Sequence, residues 1–129
     1  MDHRIADIRR RVAQNGGATE EDVDALDDIL EAEGASAELL ILRGQLIQLG
    51  REDDPEELEE ALACFQEALE LDPGSAEAHE EIGHFLDDVA EDPEEAVPFF
   101  RKAIELAPAR PPKRGLRDVL VQLGREESQ

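Results

Sequence analysis

Apolar residues recur along the chain at three- and four-residue steps, the period of helices that each bury one stripe. Ile5, Ile8 and Val12 give a narrow stripe to a short basic helix over about 2–14, which Asn15-Gly16-Gly17 ends. Thr19 then caps a second helix with Asp22 three positions on. Val23, Leu26, Ile29 and Leu30 form its buried side before Gly34 stops it. Ser36 caps a third helix over about 37–50, in which Leu39, Leu40, Ile41, Leu42, Leu46, Ile47 and Leu49 cover most of the circumference. A helix apolar nearly all round is buried on more than one side, so this one is expected to be central.

Asp54-Pro55-Glu56-Glu57 opens a fourth helix, with Asp54 as cap and Pro55 at the first helical position. Its stripe is Leu58, Leu62, Phe65 and Leu69, and Pro73-Gly74 follows its end. Ser75 caps a fifth helix over about 76–90, with Ala78, Ile82, Phe85, Leu86 and Val89 inward and an acidic other side. Asp92-Pro93-Glu94-Glu95 repeats the earlier start signal for a sixth helix to about 107, in which Pro98 predicts a kink near the first turn. After Pro111-Pro112, Leu116, Val119, Leu120 and Leu123 mark a seventh helix over about 112–125.

One stretch occurs twice. Ala61, Phe65, Ala68, Leu69, Leu71 and Pro73 reappear as Ala96, Phe100, Ala103, Ile104, Leu106 and Pro108, 35 residues on. Upstream of each copy a glycine interrupts an apolar helical pattern, Gly44 and Gly83. These features resemble the tetratricopeptide repeat, a helix-turn-helix unit of 34 residues with a mid-helix glycine and a later A-x3-F and P. The departures are local: Arg43 stands where leucine is expected. In addition, 17 positions separate Gly44 from Ala61 but only 13 separate Gly83 from Ala96, so the first turn is long. The run Leu46-Ile47-Gln48-Leu49-Gly50-Arg51 also returns as Leu120-Val121-Gln122-Leu123-Gly124-Arg125. That keeps the seventh helix in phase as a half-repeat covering the last core face.

The expected fold is therefore all-α, a TPR-like α-solenoid of antiparallel helix pairs with about seven helices in one domain over 1–129. Residues 1–35 would form a degenerate N-terminal pair, 36–73 the first repeat, 75–108 the second and 111–125 a capping helix.

Composition narrows the partners. With no Trp or Tyr and four Phe, the core relies on aliphatic residues, which suits stacked pairs better than one thick centre. The net charge of −21 is unevenly spread: residues 1–18 carry +2, residues 19–98 carry −26 and residues 99–129 carry +3. Binding nucleic acid needs a basic face, so nucleic acid is excluded as the expected partner and a basic protein or peptide is the electrostatic complement. No apolar run reaches the ~20 residues of a membrane span, and residues 1–17 lack the apolar segment of a secretory signal. One cysteine, Cys64, leaves no internal disulfide and reads as a small buried hydrophobe. A cytoplasmic protein, monomeric or weakly dimeric, is expected.

Catalysis finds little support. His79 and His84 are five apart, about 140° round a helix, whereas two zinc-binding histidines on one helix stand at i and i+4. His79 reads instead as a packed core residue. No phosphate-binding glycine loop or nucleophile and base pair is present, and no cofactor or metal is expected.

In tetratricopeptide domains the first helix of each repeat lines a concave surface for extended or helical peptides. Carried over by the resemblance, those positions are Glu77, Glu80, Glu81, His84, Asp87 and Asp88 in the second copy, and Ile41, Gln45 and Gln48 in the first, beside Glu38, Leu42 and Leu49. Chaperone-tail clamps of this family use Lys, Arg and Asn there, and none is present. The resemblance thus implies an adaptor that takes a peptide or helix, with an apolar and an acidic strip suited to a basic amphipathic partner. A structural subunit that self-associates through its terminal helices is the alternative.

Overall fold

The structure, a computed structural model, describes residues 3–50 and 55–107. Among them are six helices and no strand: α1 (His3–Asn15), α2 (Glu20–Glu33), α3 (Ala37–Gly50), α4 (Pro55–Leu71), α5 (Ala76–Asp88) and α6 (Pro93–Leu106). The class is all-α, built from successive packed helix pairs of the solenoid-forming kind. Asp54 as a cap and the seventh helix over 112–125 lie outside the described residues.

The start signals work as their chemistry requires. The Thr19 hydroxyl accepts from the Asp22 amide while the Asp22 carboxylate accepts from the Thr19 amide, a capping box that satisfies donors α2 would otherwise leave open. Asp22 also meets Arg11 at 3.4 Å, which ties α1 to this cap. Ser36 accepts from Leu39, Ser75 from Ala78 and Asp92 from Glu95. At the other end of α2, Gly34 has φ 87°, backbone that favours glycine, and its amide closes on the Leu30 carbonyl.

The chain divides into two compact units, residues 1–71 and 72–129. In the first, α3 is central: it packs most extensively on α4 and also on α2, and Leu39, Leu40, Ile41, Leu42, Leu46 and Ile47 are all buried. Leu39, Leu42 and Leu46 join Ile8, Leu26 and Ile29 in one cluster, so the N-terminal pair is bound through ordinary aliphatic packing. On another side of α3, Gly44 faces α4 so closely that a Cβ there would stand 2.5 Å from Phe65 Cε1.

The second unit repeats that device between α5 and α6. A Cβ on Gly83 would stand 2.8 Å from Cε1 of Phe100, which is fully buried with Ala96. Both glycines are therefore seats for a phenylalanine ring of the following helix, which explains why a residue costing ~1 kcal/mol in a helix interior is kept. Pro98 lies on the exposed side of α6, which runs unbroken from Pro93 to Leu106.

Two expected core positions differ. Leu49 is 56% exposed in the last turn of α3, and Val89 is 40% exposed because α5 ends at Asp88 and leaves Val89 as its C-terminal cap.

Candidate functional site

The acidic positions of α5 follow a helical spacing but do not share one environment. Glu77, Glu81, His84 and Asp88 stand at i, i+4, i+7 and i+11 and make one strip; Asp88 is exposed and the other three are partly so. Glu80 and Asp87 stand three residues before and four after Gly83, and so belong to the edge of α5 that the glycine brings close to α6. Asp87 is partly buried.

The exposure expected of Glu80 does not hold. It is 4% exposed, with its carboxylate 3.6 Å from His84 Nε2. Where two helices approach within the reach of a glycine seat, the side chain one turn before the seat is covered whatever its polarity. The His84 ring stands edge-on to Phe100 with centroids 5.1 Å apart, so this pair borders the aromatic contact itself.

The equivalent faces of α3 show the same rule. Ile41 precedes Gly44 by three, as Glu80 precedes Gly83, and it is 3% exposed. Leu42 is taken up by the cluster of the N-terminal helices. Gln45 and Gln48 are partly exposed, while Glu38 and Leu49 are exposed. Of the carried-over positions, Glu80, Ile41 and Leu42 thus serve the packing within their units, and the remainder present surface.

His79, read as a packed residue, is partly buried with its ring centroid 6.1 Å from that of Phe99. Its Nε2 lies 3.2 Å from the Pro73 carbonyl, which can only accept, so Nε2 is the donor in this contact. Among the described residues no group of three His, Cys, Asp or Glu side chains is placed to hold a metal ion, and no helix is long and apolar enough to cross a membrane.

A polar node that sequence reasoning missed lies in the first unit. From α3, Arg43 donates through Nε to Asp27 of α2 at 2.6 Å, through Nη2 to Glu60 of α4 at 3.0 Å and through Nη1 to the Cys64 sulfur at 3.2 Å. Three helices meet on one guanidinium. Burial works against its charge, but these hydrogen bonds outweigh that and hold its pKa above the ordinary value. The signal was the departure itself: an arginine inside an apolar run, at a position where the repeat has leucine.

Cys64 is buried, as a small hydrophobe would be. Burial pushes its thiol above the ordinary value of 9.0 and Arg43 pulls only partly the other way, so it is an inert neutral thiol at pH 7. The sign of the linked effect follows. An unfolded chain loses this proton first as pH rises, so the stability that the thiol contributes is full below about pH 9 and is lost above it. Between pH 7 and pH 10 the melting temperature of the native protein should therefore fall more steeply than that of Cys64→Ala. Parallel melting curves for the two would remove the linkage.

Comparison with known families agrees with this architecture. A family model described as TPR repeat matches residues 55–86, and another described as Tetratricopeptide repeat matches residues 76–110. No curated protein matches the chain.

Proposed function

From the premise that this chain belongs to the tetratricopeptide-repeat family, whose domains generally mediate protein–protein interaction, we propose that it is a non-catalytic cytoplasmic adaptor for a basic peptide or helix. The contact surface in this reading is the strip Glu77, Glu81, His84 and Asp88 with Asp87 beside it; the first unit, taken by itself, presents Gln45, Gln48 and Leu49. The observation that carries it is the strip's composition: three carboxylates at helical spacing, all at least partly exposed, on the helix that the family uses for contact. A partner with Lys or Arg along one side and aliphatic residues along another supplies the complement.

The test is an amphipathic peptide of leucine and lysine, titrated against native protein and variants at two salt concentrations. Glu81→Lys with Asp88→Lys should slow association and flatten its salt dependence while leaving the helical circular dichroism near native, because exposed charges act mainly on encounter. Glu59→Lys with Glu67→Lys, on exposed positions of α4, should change little. Equal losses from the two pairs would reduce the effect to net charge and sink the site.

A further inference from the structure

The turn that closes α1 carries the chain's one asparagine, and a glycine follows it. Asn15 is the last residue of α1 and is exposed. The helix unwinds at this point: the Val12 carbonyl accepts the Gly17 amide at 3.2 Å, one residue past the regular position, and Gly16 has φ 71°. Nothing stands within 4 Å of the place where a Cβ on Gly16 would be. The backbone nitrogen next to the Asn15 side chain therefore has neither a side chain of its own nor a neighbour to keep that side chain from folding back onto it.

We infer that Asn15 is a site of spontaneous covalent modification, deamidation through a cyclic imide, and that the change loosens α1 from its unit. The Gly16 amide nitrogen gives up its proton and attacks the side-chain carbonyl carbon of Asn15. The new C–N bond closes a five-membered succinimide, and the side-chain amide leaves with that proton as ammonia. Water then adds to one of the two ring carbonyls. Opening at the side-chain carbonyl leaves aspartate, whereas opening at the main-chain carbonyl leaves isoaspartate, in which the backbone runs through Cβ. Water is the one co-reactant, and nothing is oxidised or reduced. The step needs no partner and does not use the adaptor strip.

The surroundings give the change a structural effect. A carboxylate at residue 15 stands at the C-terminus of α1, where the helix dipole disfavours negative charge. The turn is also closely fitted: a Cβ on Gly50 would be 2.6 Å from the Ala18 carbonyl oxygen, and one on Gly17 would be 3.5 Å from that of Leu49. Backbone thus lies against backbone at the end of α3. Isoaspartate lengthens the main chain by one methylene just before this contact, so α1 can no longer keep both the turn in its seat and Ile8 in the cluster with Leu26, Ile29 and Leu46.

Native protein and Asn15→Gln, incubated for several weeks at mildly alkaline pH and body temperature, test it by peptide mapping and thermal melts. The native protein should gain the mass of an amide-to-acid exchange at residue 15, with isoaspartate among the products, while glutamine there, which needs a larger ring, should not convert. Aged native protein should then melt about 4 °C or more below fresh protein and exchange the amides around Ile8 sooner. Aged Asn15→Gln should keep its midpoint. Freshly made Asn15→Asp, which carries the charge without the longer backbone, should show only part of the shift. If residue 15 stays unconverted while a free peptide spanning Gln14 to Ala18 converts, the fold protects the bond and the assignment falls; conversion with an unchanged midpoint would overturn the loosening.

Discussion

Gly83→Leu should destabilise the protein by about 1–3 kcal/mol, the usual cost of forcing added carbons into a packed contact. The reason is geometric: even the first added carbon would stand 2.8 to 3.0 Å from three carbons of the Phe100 ring, and that ring is fully buried with no room to retreat. The denaturant midpoint reads the effect. Gly83→Ala separates its components, since alanine gains ~1 kcal/mol in helix propensity but still meets the ring. Combining it with Phe100→Leu should recover part of the loss, a non-additivity expected only of residues in contact. An unchanged midpoint for Gly83→Leu would mean that the ring does not use the glycine as its seat.

Glu80→Lys should cost more, about 3–5 kcal/mol, the penalty for placing an uncompensated charge in a buried site. The carboxylate faces His84 at 3.6 Å in a site only 4% exposed, and an ammonium there removes that partner. Glu80→Ile tests the same slot from the other side. Isoleucine occupies the equivalent place in α3 at 3% exposure, so this exchange should be near neutral or stabilising in thermal melts. A lysine variant that melts like the native protein would show that residue 80 reaches solvent.

The helix boundaries and their chemistry were legible because they are local. Thr19 with Asp22, Ser36, Ser75 and Asp92 each announce a helix start within three or four residues, and the structure places those hydrogen bonds where the spacing puts them. That Gly44 and Gly83 are special was legible for another reason, since a costly residue twice precedes the same motif, whereas the seating of Phe65 and Phe100 on them is a finding of the structure.

Glu80 and Arg43 were not legible because residue type gives only an average preference for water. Glu80 is covered by its register relative to Gly83, and Arg43 is satisfied by carboxylates 16 and 17 residues away on two other helices. Neither fact is carried by the residue or its neighbours in sequence. Leu49 and Val89 failed in the opposite sense, since an apolar period continues to the end of a helix while the partner surface stops short of it.

Pro98 sits at the sixth position of α6 and supplies no amide hydrogen, so the Glu94 carbonyl loses its partner from that position. Before it, the first turn is held through Asp92, whose side chain receives the Glu95 amide and whose carbonyl receives the Ala96 amide. That turn is consequently tied to the rest of the helix by one ladder hydrogen bond fewer than a regular turn. In native-state hydrogen exchange, the amides from Glu94 to Val97 should trade with solvent together and early, while those around Phe100 and Ala103 wait for the whole unit to open.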